Sequence, residues 1–224
     1  MSRRFSRPSK PPASTISSRR SKIETWLEQV AETYDVLSMA LPASNAVLSD
    51  VGLALPSSWS VAIAWAAAWT ALMLAYSPFA DWMATKLFVA PPTLGAFRAI
   101  QGIEGQTLDR IVVAWLLGGF LEELVFRGIV LRAIELGLAP LAPHVIATSA
   151  AVVVAAIGAA LVHWHEGPRA MVIMMQLSVL FGVLFVVSGH DLWAAMICHG
   201  SYDTIAFIRF ASGKSRYAKL HEAA

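Results

Sequence analysis

Two adjacent carboxylates and an arginine stand inside an apolar segment of the chain, 111–134, where charge needs a reason. They are Glu122, Glu123 and Arg127, within Gly118-Gly119-Phe120-Leu121-Glu122-Glu123-Leu124-Val125-Phe126-Arg127-Gly128. An unpaired ion in hydrocarbon costs several kcal/mol on most scales, roughly 2.5–3.5 kcal/mol on the least severe. Read as an α-helix, Glu123 and Arg127 share a face and pair, while Glu122 is rotated by about 100° from its neighbour. The expectation is one glutamate held by Arg127 as a structural ion pair and one left free for chemistry.

Three more polar residues stand inside or at the end of apolar runs. His163 closes the run Val145–Trp164, and His199 and Asp203, four apart and so on one helical face, lie in Leu192–Phe210. Polar groups in membrane spans face the bundle interior, so Glu122, His163, His199 and Asp203 are expected to meet in one cavity. That set suits the activation of water. Glu122 would be the general base, and the histidines would orient water or stabilise an oxyanion. His165, two residues beyond His163, is a rival for its place, although His163 alone lies within the apolar run.

The elements that must position these residues are membrane helices. Of the 224 residues 57% are hydrophobic and 14% charged, against about 45–50% and about 25% in soluble domains. The mean hydropathy is +0.60. An all-α, multi-pass transmembrane bundle of about six spans is expected. Trp59–Tyr76 is uncharged and reaches across roughly 27 Å at about 1.5 Å per residue. Ser77-Pro78 should break it, leaving Phe79–Val89, with Asp81 and Lys86, as a short second crossing or a re-entrant piece. The Glu-Glu helix, Val145–Trp164, Ala170–Ser188 and Leu192–Phe210 follow. Abundant Gly and Ala permit close helix–helix approach.

The flanks differ in character. Residues 1–45 comprise a basic Ser/Pro-rich tail and a short amphipathic helix over Ser21–Leu41, 46–212 the embedded domain, and 213–224 a basic polar tail. With a single aromatic, Phe5, among its charges, the N-terminal tail lacks the stacking residues of a nucleic-acid-binding segment. No apolar stretch follows it closely enough for a cleaved secretory signal. Basic residues at both ends place both termini in the cytoplasm, which needs an even number of crossings and would open the polar cavity to that side. The lone Cys198 excludes an internal disulfide and any multi-cysteine metal site.

These motifs resemble the CPBP family of intramembrane proteases, which includes the type II CAAX prenyl endopeptidases and bacteriocin-processing or self-immunity proteins. Glu122, Glu123 and Arg127 match its Glu-Glu-x-x-x-Arg motif. His163 matches the histidine of Phe-x-x-x-His, with Ala159 in place of Phe, and His199 and Asp203 match His-x-x-x-Asn/Asp. The run from Phe181-Gly182 through Gly189 to Leu192-Trp193 and the lead-in Asp50-Val51-Gly52-Leu53 are also similar. The resemblance implies a glutamate-type endopeptidase of a bacterial cytoplasmic membrane, acting without a cofactor on a lipid-anchored or otherwise membrane-associated peptide. A zinc-assisted version would use Glu122, His163 and His199, two His plus one carboxylate being a known zinc set. If Asp203 donates to an oxyanion, it must do so as the carboxylic acid, because an ionised Asp only accepts. A non-proteolytic immunity or scaffold protein on the same helices is the alternative reading. The signatures of zinc, serine and aspartyl intramembrane proteases are incomplete: His165-Glu166 is followed by Gly167-Pro168-Arg169, which breaks His-Glu-x-x-His.

Overall fold

A computed structural model describes residues 49–93 and 104–214. The expected basic tail, the amphipathic helix over Ser21–Leu41 and nearly all of the C-terminal tail lie outside those residues. Within them the chain forms five long helices. We name them α1 (Trp59–Leu87), α2 (residues 104–138), α3 (His144–Leu161), α4 (Pro168–Val187) and α5 (Leu192–Ala211).

The expected break at Ser77-Pro78 does not occur. α1 runs for 29 residues straight through Pro78. Proline lacks the N–H that would bond the carbonyl four residues back, but the Ser77 hydroxyl donates to that carbonyl, Leu74 O, at 3.3 Å. Asp81 does not eject the helix from its packing either, because its carboxylate is buried against Arg169 of α4, with Nε 3.0 Å from Oδ1. Phe79–Val89 is therefore no crossing of its own: it forms the last turns of α1 and the start of the segment after it. The helix, at about 1.5 Å per residue, spans about 43 Å, longer than the roughly 30 Å hydrocarbon layer. The count of six spans, and with it the inference that both termini share the cytoplasm, loses this support.

Three helices, α1, α3 and α4, are long and apolar enough to cross a membrane. Large apolar side chains cover the outer faces of α1 and α3: Val61, Ile63, Val153, Val154 and Ile157 are all exposed. Small residues line their contacts. Ala147, Ala151, Ala155 and Ala159 recur every fourth residue of α3 and are buried, and a Cβ on Gly182 of α4 would approach Val152 to 3.0 Å. This is the close approach by which membrane helices gain dispersion contacts without a hydrophobic drive. α4 is the central strut, packed by α1 on one side and α3 on the other, and α5 packs on α1 and α2.

α2 is not a plain α-helix. Between the α-helical segments Glu104–Ala114 and Arg132–Leu138 it has two π-helical segments, Trp115–Glu122 and Leu124–Leu131. Bonding from i to i+5 puts more residues in each turn, so neighbours are rotated by less than the about 100° of an α-helix. The end of α2 is pinned to the lead-in and to the α4–α5 loop. Glu135, itself buried, accepts from Thr148 Oγ1 at 2.6 Å and lies 3.1 Å from His190 Nε2, while Arg132 Nε donates to Asp50 O at 3.1 Å. The lead-in closes the knot: Leu192 N donates to Gly52 O at 3.2 Å.

Candidate active site

Gly119 of α2 faces Gly200 of α5 while Gly118 beside it faces His199 and Asp203, and this pairing sets the site. A Cβ on Gly119 would stand 3.2 Å from Met196 O, and one on Gly200 would lie 2.4 Å from the Trp115 ring. The backbones approach this closely only because these positions carry no side chain. Trp115 is locked in turn, its Nε1 donating to Thr204 Oγ1 at 3.0 Å. α5 is thereby held with His199 and Asp203 against the Glu-Glu segment.

His199 sits between carboxylates. Its Nδ1 is 2.6 Å from Glu123 Oε1, and its Nε2 is 3.6 Å from Asp203 Oδ2. An ionised carboxylate only accepts, so the short contact places a proton on Nδ1. Phe181 of α4 stacks on the ring at 4.5 Å with 22° between planes. The Phe181 ring also lies 5.1 Å from the Arg127 guanidinium carbon.

Glu123 differs from expectation. It pairs with Arg127, Nη1 to Oε1 at 3.2 Å, but it does not turn away from the site, because the same oxygen binds His199. Both glutamates therefore lie on the inner side of α2, Glu123 through His199 and Glu122 on the pocket. Glu123 is fully buried, and its Oε2 has no hydrogen-bond partner among the described residues. Arg127 is fixed from behind by Ser178, which accepts from Nη2 at its carbonyl (3.0 Å) and its hydroxyl (2.6 Å).

Glu122 forms no ion pair or hydrogen bond among the described residues and lines a small pocket with His163, His199, Arg127, Ser178 and Phe181. Its free space, about 10 Å³, is about what one water needs. The pocket thus gathers Glu122, His163 and His199, with Asp203 adjoining through His199. His163 stands just past the end of α3, and its Nδ1 lies 3.0 Å from Glu166 Oε1. His165 is 63% exposed and 3.7 Å from the same oxygen, so the histidine lining the pocket is His163. Ala159, where the resembled motif has Phe, lines it too.

Among the described residues no three His, Cys, Asp or Glu side chains are grouped to hold a metal, and Nδ1 of each histidine already faces a glutamate. Sequence reasoning missed three supports: Ser178, Phe181 as a ring stacked on His199, and Glu166. Ser178 is the one hydroxyl in the middle of an uncharged apolar run, and Glu166 follows His163 by three residues. Both signals were present but neither is specific.

Residues 105–205 match the family model for type II CAAX prenyl endopeptidase Rce1-like proteins. The stretch contains every residue of the pocket, and the match supports a CPBP-family protease. No curated protein and no solved structure matches the chain.

Proposed function

We propose that the protein is an intramembrane endopeptidase in which Glu122 activates water against a peptide carbonyl. The observation that carries this is a glutamate with no ion pair or hydrogen bond among the described residues, in a pocket shared with two histidines, each held from behind by another carboxylate. Glu122 takes a proton from the water as the oxygen attacks, and returns it to the departing amine. His163 and His199 orient the water. The oxyanion forms on the side of His199 and Asp203, over the hollow that Gly118 leaves: a Cβ there would stand 3.1 Å from both His199 Nε2 and Asp203 Oδ2. Preorganised donors in a site shielded from water are the main source of such stabilisation, each worth about 2.7–4 kcal/mol. Glu123 and Arg127 hold His199 and do not touch substrate.

The substrate class follows from the family: a peptide presented at the membrane, with a prenylated C-terminal peptide the first to try. The purified chain in lipid vesicles is offered such a peptide and products are read by mass spectrometry. Glu122→Gln keeps the shape and removes the base. Loss of cleavage with a monodisperse, normally melting protein supports the mechanism. Undiminished cleavage refutes it, and an inert wild-type chain across lipidated and plain peptides favours a scaffold or immunity role.

A further inference from the structure

Glu166 has no part in the chemistry above, yet it touches a residue that does. It ends the single 3-10 turn Trp164–Glu166 that joins α3 to α4. That turn brings Glu166 Oε1 to 3.0 Å from His163 Nδ1, both side chains being 18% exposed. Two ties and a glycine corner fix the turn. Thr93 N donates to Glu166 O at 2.8 Å. Gly167, at φ +99, takes the sharp corner that a side chain would strain. Pro168 then opens α4, and Arg169 beside it is anchored on Asp81 of α1. A flexible surface ion pair would be worth little, but this carboxylate is carried on a backbone tied to two other segments.

We infer that Glu166 is a positioning residue for His163, fixing the tautomer and the ring plane that the pocket meets. The inference rests on the peptidase reading of that pocket. A carboxylate only accepts, so the 3.0 Å contact puts the ring proton on Nδ1. Nε2 is then a lone pair, the nitrogen left to the pocket it shares with Glu122. A water there donates one hydrogen to Glu122 and the other to Nε2, which leaves its own lone pair aimed at the carbonyl carbon. Glu123 also stands behind its histidine, at 2.6 Å from His199 Nδ1, but that ring is flanked by Asp203 as well and donates to the oxyanion from Nε2 as the imidazolium. In such arrangements the hydrogen bond at one ring nitrogen decides the role of the other.

The test is Glu166→Gln in the full-length chain, beside His165→Ala as a control. Gln fills the same space and suits a merely structural role, but its amide can donate to Nδ1 and hold the wrong tautomer. The expected result is a fall in kcat of about 10–100-fold with KM within about twofold, normal yield, and no change for His165→Ala. Histidine ring-nitrogen NMR, assigned with His163→Gln, should show His163 protonated at Nδ1 in the wild type and displaced from that state in Glu166→Gln. A wild-type chain that cleaves while Glu166→Gln cleaves within twofold of it overturns the positioning role and leaves the peptidase reading intact. So does a wild-type spectrum with the proton on Nε2. A wild-type chain that cleaves nothing sinks both.

Discussion

Removing the guanidinium of Arg127 should cost the fold more than the chemistry. Arg127 is 2% exposed and Glu123 is fully buried. The guanidinium gives Glu123 Oε1 its 3.2 Å ion pair, fills both acceptors of Ser178 and covers the Phe181 ring. In Arg127→Ala, Glu123 keeps His199 as its only partner among the described residues, where its second oxygen already has none. Breaking one side of a buried pair costs about 3–5 kcal/mol, against a net stability of roughly 5–15 kcal/mol. For a chain of this size that is a fall in Tm of roughly 6–20 °C. The measurement is the yield of monodisperse protein and its Tm, beside cleavage per folded molecule. Removing both charges, as Arg127→Met with Glu123→Gln, should recover much of the lost Tm, since no ion is then left unpaired. Wild-type yield and Tm in Arg127→Ala, with cleavage abolished, would refute the reasoning and move Arg127 into the reaction.

Gly200→Ala should prevent the α2–α5 contact, since its Cβ would lie 2.4 Å from the Trp115 ring; Trp115→Ala in the same chain should partly restore folded protein, and a well-behaved single variant would show that the helices are not this close. Gly118→Ala, whose methyl would reach only the tips of His199 and Asp203, should instead spare yield and lower cleavage at least about tenfold by filling an oxyanion site. Pro78→Ala should leave α1 intact and hold or raise Tm, by at most about 3 kcal/mol of helix propensity; a misfolded product would mean that Phe79–Val89 is an independent piece. His190 lies in the α4–α5 loop, where burial first, and then the nearby Arg132, push its pKa below 6.5 even though Glu135 pulls the other way. The unfolded chain then binds a proton that the folded chain resists, so stability falls as pH drops through about 6.5, and His190→Gln should flatten Tm between pH 7.5 and 5.

How much of this was legible in the sequence depends on what each inference assumed. Charge inside hydrocarbon is costly whatever the helix type, so Glu122, Glu123, Arg127, His199 and Asp203 stood out by composition alone. The four-residue spacing of His199 and Asp203 needs only a regular α-helix, which α5 is. The division of labour between the glutamates needed more. It assumed that the rotation between neighbours turns Glu123 out of the site, whereas its Oε1 reaches His199 as well as Arg127. Pro78 misled for a related reason: the rule that proline breaks a helix presumes an unsatisfied carbonyl, and here Ser77, the residue just before it, supplies the missing donor. Contacts such as Arg127–Ser178 join residues 51 apart in the chain, and no local pattern announces them.

What separates the two glutamates is partners rather than facing. Both look inward, yet Glu123 is saturated on one oxygen by Arg127 and His199, whereas Glu122, among the described residues, has only the pocket. A base must be free to take a proton, and a carboxylate already compensated by a guanidinium and an imidazole N–H is a poor one. Exchanging their roles would require Arg127 to move to Glu122. Ser178 forbids this by holding Nη2 at two points, 2.6 and 3.0 Å away. Ser178→Ala leaves one of those points, the carbonyl, and should therefore retain most cleavage. Ser178→Leu should do worse than Ala, since its side chain would intrude on the pocket that Ser178 lines. If Ser178→Ala were instead as inactive as Glu122→Gln while its yield stayed normal, the hydroxyl would belong to the reaction and not to the clamp on Arg127.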